Sequence, residues 1–284
     1  MKFNKDNLIK SPLNYVGGKY KLLPQILPYF PDDINLFVDM FSGGGNVGIN
    51  VEANKIVMND IESVVIDLMN YLKNNGCKKS LSELKDIIQK YNLSKTNEDG
   101  YKRIREDYNL GNKDSMMFYA MLTHAFNYQI RFNKNGEYNM PFGRNRSSFN
   151  PNTESNFIKF VNKLSDKHIF TNKDFREIKL DKLNSNDFIY CDPPYLITCA
   201  SYNDGWNELL ERDLFSVLDS ANDKGIKFAM SNVLENKGKE NIILKDWAKK
   251  YNIHLLDKTY KNCNYQSKDK NKENTTKEVL ITNY

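Results

Sequence analysis

The run Asn35-Leu36-Phe37-Val38-Asp39-Met40-Phe41-Ser42-Gly43-Gly44-Gly45 carries a short apolar stretch straight into three glycines. The apolar part reads as a buried strand, and the glycines let the backbone turn tightly and approach a ligand closely. "NVGINV" then predicts a helical segment, and "KIVMNDIES" a second strand ending on Asn59-Asp60. Strand, glycine turn, helix, strand and acidic residue make the opening unit of a nucleotide-type α/β fold. From about residue 66 this rhythm stops. "SLSELKDIIQKYNLS" sets Leu81, Leu84, Ile87, Ile88 and Tyr91 on one helical face, with Ser80 or Ser82 as its cap. "SMMFYAMLTHAFNY" reads as a buried helix, and Asn135-Gly136 inside "QIRFNKNGEYNMPFGRNR" as a hairpin turn. The α/β rhythm resumes near Lys167, where "KHIFTN", "DFIYCD" and "IKFAMSN" are strands and Leu209–Asp219 and Glu240–Tyr251 helical. "IHLLDKTY" and "EVLITNY" read as a closing antiparallel pair. The pattern is one α/β domain, residues 1–65 and 156–284, split by a helical insertion with a hairpin at 66–155.

Composition narrows the setting. The 284 residues are 40% hydrophobic and 27% charged, ordinary for a globular protein. No apolar run is long enough to cross a bilayer, and "MKFNKDNLIK" lacks the apolar core of a signal peptide. Cys77, Cys191, Cys199 and Cys263 have no metal-ligand spacing and read as reduced cytoplasmic thiols. With three histidines, no metal site is expected. The net charge of +5 permits nucleic-acid binding without demanding it.

Three constellations carry chemistry. Gly43, Gly45 and Gly48 match G-x-G-x-x-G, which suits either a nucleotide-binding turn or a plain tight turn. Asp60 can accept hydrogen bonds from ribose hydroxyls or cap the segment that follows it. Tyr15-Val16-Gly17-Gly18-Lys19-Tyr20 brings an ammonium and a flat ring near two glycines, or is simply a loop. The sharpest is Asp192-Pro193-Pro194-Tyr195 directly after the strand Phe188 to Cys191. The prolines forbid continuation of the ladder. A carboxylate, a proline-held carbonyl and an aromatic ring together suit a planar ring with an exocyclic amine.

Taken in order, Tyr15 to Lys19, Asp39 to Gly45, Asn59-Asp60, Asp174-Phe175 and Asp192 to Tyr195 make the chain resemble the DNA adenine-N6 methyltransferases. The likeness is greatest to the Dam type of the D12 class, found in bacteria and their phages, and covers nearly the whole chain. It implies a Rossmann-like S-adenosylmethionine-dependent methyltransferase fold, a mixed sheet flanked by helices, with an inserted helical target-recognition domain bearing the β-hairpin. It implies S-adenosyl-L-methionine as cofactor, held by Tyr15, Lys19, Phe41, Gly43, Gly45, Asp60, Asp174, Phe175 and Asp192. The catalytic group is then Asp192, Pro193, Pro194 and Tyr195. Tyr15 stands where Trp is common in the family, and Met40-Phe41 where Pro-Phe is common.

The implied partner is double-stranded DNA, with no membrane, metal or obligate protein partner evident. Between Arg131 and Arg146, four basic residues face one acid, Glu137. By resemblance Arg131 reads guanine and Phe126 wedges beside the target pair. Lys134, Pro141, Arg144 and Arg146 complete the expected DNA-binding set, the last two favoured as phosphate contacts or a solvated loop over base readers. The implied reaction is methylation of a flipped-out adenine, with GATC as the expected site. Methylation of another adenine site, or of cytosine N4, remains the alternative.

Overall fold

A computed structural model describes residues 7–15, 17–198, 205–257 and 276–284. The apolar runs form β1 (Leu36–Asp39), β2 (Lys55–Asn59), β3 (His168–Thr171), β4 (Phe188–Cys191) and β5 (Lys227–Asn236). These five are parallel: β1 pairs with β2 and β4, β2 with β3, and β4 with β5. The two-residue β6 (Lys239–Glu240) folds back on β5, and β7 (Asn252–Leu256) and β8 (Thr276–Thr282) close the sheet as an antiparallel pair. The order is β3-β2-β1-β4-β5-β8-β7. From β1 the chain steps outward on one side, then returns to start the other side with β4. The order therefore reverses between β1 and β4, and a crevice opens beyond their C-terminal ends. Asp39 closes β1 opposite Tyr190 of β4, which brings the Asp39 and Asp192 motifs to that crevice.

Helices α1 (Leu23–Ile26), α2 (Ser63–Lys90), α3 (Glu98–Asn109), α4 (Ser115–His124), α5 (Pro151–Lys163), α6 (Glu208–Asp223) and α7 (Ile242–Ala248) flank this mixed sheet. The architecture is that of a Rossmann-like methyltransferase. All four residues of β4 are buried, because both faces are covered. Phe188 and Tyr190 join one core, and Ile189 and Cys191 the other. Tyr101, Phe118 and Tyr119 of α3 and α4 share the first core with Phe37 and Tyr190. The inserted helices thus join the core of one sheet face, α4 packing on α2 and α3 on α4, with α2 reaching β3. Positions 66 and 155 fall inside α2 and α5.

Two local expectations are corrected. The helix expected at "NVGINV" is only a 3₁₀ turn, Gly48–Asn50. A Cβ at Gly48 would lie 2.5 Å from the Met58 sulfur, so the turn is pressed onto β2, with little chain left before that strand. The helix expected to start at Ser80 or Ser82 instead belongs to α2. Gly76, at φ 70 and ψ 174, breaks the helical path within α2, so the second stretch forms as expected but starts before either serine, with Ser80 buried inside it. Cys77 and Cys191 are free thiols. Cys199, Cys263 and the 258–275 loop lie outside the described residues. Among the described residues no helix is long and apolar enough to cross a membrane.

Candidate active site

A cleft of about 130 Å³ lies at the crevice, walled by the 15–19 loop, the glycine turn and the Asp192 motif. The Tyr15 ring rests on Gly43. A Cβ there would approach within 2.8 Å of that ring, and φ is +49, so glycine is required twice over. The Gly43 amide donates to Asp60 Oδ2 at 2.7 Å, and the Glu62 amide to Oδ1 at 3.0 Å. Asp60 therefore ties the glycine turn to the entry of α2 while lining the cleft. Burial raises its pKa.

Asp192 is held from one side. Lys19 Nζ lies 2.6 Å from its Oδ1, and the Tyr195 hydroxyl donates to the same oxygen at 2.9 Å. Among the described residues, no hydrogen bond ends on Oδ2, while both contacts named above fall on Oδ1. Lys19 also donates to the Gly17 carbonyl at 3.0 Å and lies 4.9 Å from the Tyr195 ring centroid. Burial raises the pKa of Asp192; the Lys19 charge opposes that shift and the Glu278 charge adds to it. Asp39 is 1% exposed, and among the described residues no donor meets either of its oxygens at full hydrogen-bond geometry. Burial pushes its carboxyl well up, helped by the charges of Asp192 and Asp60, while the Phe41 and Gly48 amides act only weakly against this. The cleft is rich in acceptors and poor in cations. That character suits a cationic ligand carrying several hydrogen-bond donors.

Of the residues expected to hold the cofactor, Tyr15, Lys19, Phe41, Gly43, Asp60 and Asp192 line the cleft. So do Pro193, Pro194 and Tyr195. Gly45, Asp174 and Phe175 are set back from it. A Cβ at Gly45 would meet Met58 and Phe160 in the core. Phe175 packs behind Phe41, centroids 5.4 Å apart, with Trp206 closing the group 5.8 Å from Phe41. Asp174 caps a 3₁₀ turn and accepts from the Arg176 guanidinium, whose hydrogen bonds lower its pKa.

The hairpin forms as expected between Arg131 and Asn139. The Asn139 amide donates to the Arg131 carbonyl at 3.1 Å and the Asn133 amide to the Glu137 carbonyl at 2.9 Å. Asn133 Oδ1 accepts the amides of Asn135 and Glu137, and Gly136 takes φ 74 at the tip. Arg131 is exposed, with Nε and Nη2 donating to the side chain and carbonyl of Asn139. Lys134 stands exposed at the turn. Phe126 is 38% exposed beneath the Arg146 guanidinium, and its amide donates to the carbonyl of exposed Pro141 at 2.8 Å. Arg144 is paired with Glu98. The Asn14 side chain donates to the Asn127 carbonyl at 3.3 Å, which links the Phe126 turn to the cleft loop.

Residues 15–262 match the profile of the D12 class N6 adenine-specific DNA methyltransferases. The chain belongs to that family. It is 47% identical over 290 residues to Type II methyltransferase M.FokI of Planomicrobium okeanokoites, a match covering 100% of this chain and 44% of that protein. It is 48% identical over 285 residues to modification methylase StsI of Streptococcus sanguinis, covering 97% and 43%. A DNA adenine methylase of Serratia marcescens is 28% identical over 194 residues, covering 67% and 68%. The chain thus spans less than half the length of the first two relatives.

The D12 match takes in every cleft residue named above; Glu278, buried and not part of the cleft wall, lies beyond residue 262. Sequence reasoning did not single out Asp39 or Glu278 as site residues. Each is a lone acid beside apolar strand residues, in "FVDMF" and "EVLIT", and that isolation was the available signal.

Proposed function

We propose that this chain transfers a methyl group from S-adenosylmethionine to N6 of an adenine flipped out of duplex DNA, within the sequence GATC. The observation that carries the reading is the asymmetry of Asp192. Lys19 and Tyr195 both occupy Oδ1. Oδ2 is left to accept a hydrogen from an amine, with Pro193, the next residue, also lining the cleft.

The cofactor fits the donor set of the cleft. A sulfonium, an ammonium and two ribose hydroxyls find acceptors in Asp39, Asp60 and Asp192, and an adenine ring finds the Phe41 face with Phe175 behind it. Bound there, S-adenosylmethionine would supply an electrophilic methyl group. The chain's own work is to prepare the nucleophile. The N6 lone pair is delocalised into the ring, and hydrogen bonds from the amine to Asp192 and the Pro193 carbonyl favour pyramidal nitrogen. Positive charge develops on that nitrogen, and a carboxylate fixed beforehand stabilises it without reorganising. The target base stacks on the Tyr195 ring, which Lys19 Nζ approaches to 4.9 Å from the centroid. Stacking there, worth about 1–3 kcal/mol, offsets much of the few kcal/mol needed to flip the base.

The segment 66–155 is proposed as the target-recognition domain. Asn139 occupies Nε and one Nη2 hydrogen of Arg131, which leaves the outer guanidinium edge to pair with guanine O6 and N7. Phe126 is placed to wedge into the duplex, and Lys134, Arg144 and Arg146 to meet phosphates, with Pro141 against the base edges. GATC rests on the likeness of this hairpin to that of Dam-type enzymes. The Type II and modification-methylase names of two relatives support a role in a restriction-modification system. The reading is tested by incubating the chain with duplex DNA and labelled S-adenosylmethionine, then digesting to nucleosides for mass spectrometry. Label on adenosine supports it, and label on cytidine replaces it with the N4 alternative.

A further inference from the structure

In β8, every residue from Glu278 to Thr282 is buried. A lone carboxylate in the middle of a sheet is disfavoured by several kcal/mol unless partners are supplied, and a leucine would pack there without that penalty. Glu278 is 1% exposed and shares its strand face with Leu280 of the apolar core. Its Oε1 lies 3.2 Å from the Tyr195 hydroxyl and 3.7 Å from Lys19 Nζ. These are the same two groups that converge on Oδ1 of Asp192.

We infer that Glu278 is a positioning residue for methyl transfer: it holds Tyr195 and Lys19 on one oxygen of Asp192, so that the other stays committed to the target amine. The inference rests on the proposed role of Asp192 as amine acceptor. An aspartate carboxylate turns about a broad, two-fold torsion, so its oxygens interchange unless their partners differ. Lys19 and Tyr195 make them differ. Lys19 has three hydrogens; one reaches the Gly17 carbonyl, one reaches Asp192, and Glu278 attracts the ammonium from a third direction. Tyr195 is bracketed likewise, its hydroxyl within reach of both carboxylates. With Glu278 gone, both groups lose the restraint opposite Asp192.

The test compares Glu278→Leu, Glu278→Gln, Tyr195→Phe and Asp192→Asn in the full chain with S-adenosylmethionine and duplex DNA. Leucine fills the space without charge, and such replacements of buried charges are often neutral or stabilising. Glu278→Leu is expected to lower kcat at least tenfold while KM for DNA and Kd for S-adenosylmethionine change less than threefold. Glu278→Gln keeps an acceptor for the Tyr195 hydroxyl and is expected to recover at least a third of wild-type kcat. Tyr195→Phe removes the same bridge from its other end, so it must show a kcat loss with KM unchanged. A leucine variant within twofold of wild-type kcat overturns the inference. So does a glutamine variant no better than leucine, or a Tyr195→Phe enzyme of wild-type kcat. If Asp192→Asn is inactive while Glu278→Leu is fully active, this inference alone fails. If Asp192→Asn turns over normally, the amine-acceptor reading fails instead.

Discussion

Lys19 is 2% exposed and meets Asp192 at 2.6 Å, whereas Arg144 of the hairpin region is 65% exposed where it meets Glu98. Both are ion pairs, yet they do different work. Inside the cleft, low polarity strengthens each charge–charge contact, and a charge left without its partner is heavily disfavoured. On the hairpin, water and salt screen the charges, and the same side chains can exchange partners when a ligand arrives. The cleft is therefore built for one fixed geometry, while the hairpin presents donors that can be re-aimed. On the proposed reading, reaction and recognition would be separable on this scaffold, because the charges assigned to them sit in these two settings.

The largest effect is expected from Asp192→Asn, which keeps the shape and removes the anion: kcat should fall more than a hundredfold, about 2.7 kcal/mol of barrier. Retention of a tenth of wild-type turnover would break the comparison at its strongest point. The same residue makes a pH prediction. Its folded-state pKa is raised, so the folded chain binds the proton more tightly than the unfolded one, and this group disfavours the fold as pH rises. Activity needs the ionised form and is lost as pH falls through the raised value. The acid limb of kcat/KM should therefore lie above the ordinary aspartate value of about 3.9, and a limb at or below that value contradicts the burial argument.

Next comes stability. Lys19→Met strands Asp192 beside Glu278 and should destabilise the fold by about 3 kcal/mol at pH 8 in urea unfolding. The loss should shrink toward pH 5, as Asp192 takes up a proton there. An equal loss at both pH values would mean that Lys19 matters for packing alone. Arg131→Ala follows, with discrimination expected to weaken by about 1–3 kcal/mol at one base position and methylation of adenine retained. Full site preference in that variant would remove Arg131 from the readout. The smallest effect belongs to Arg144→Ala. Its melting temperature should match wild type, and binding should weaken alike for all duplexes, the slope of log K against log salt dropping by about one. A sequence-selective loss would move Arg144 from the phosphates to the bases.

What could be read in advance follows from the range of the interactions involved. β4 is an unbroken apolar run, and the Asp192 motif abuts it, so strand and site were legible from neighbours in the chain. The hairpin was legible for the same reason, since Asn133, Gly136 and Glu137 close it locally. The turn at Gly48 was misread as helix because its shape is set by Met58, ten residues on. The sequence pattern puts the start of the second stretch of α2 at Ser80 or Ser82, whereas the non-helical backbone at Gly76 is what separates it from the first. Glu278 meets Tyr195 across 83 residues, and no local pattern announces such a contact. Asp174 shows the reverse: its motif was recognisable, but Arg176 two residues away occupies its carboxylate.

Base-resolution sequencing of a random-sequence duplex, methylated by the wild-type chain with S-adenosylmethionine, tests the division of labour between cleft and hairpin most directly. The expected result is N6-methyladenine confined to one recognition sequence, GATC, with cytosine untouched. Methyl groups on cytosine, or on adenines without regard to flanking bases, would contradict it.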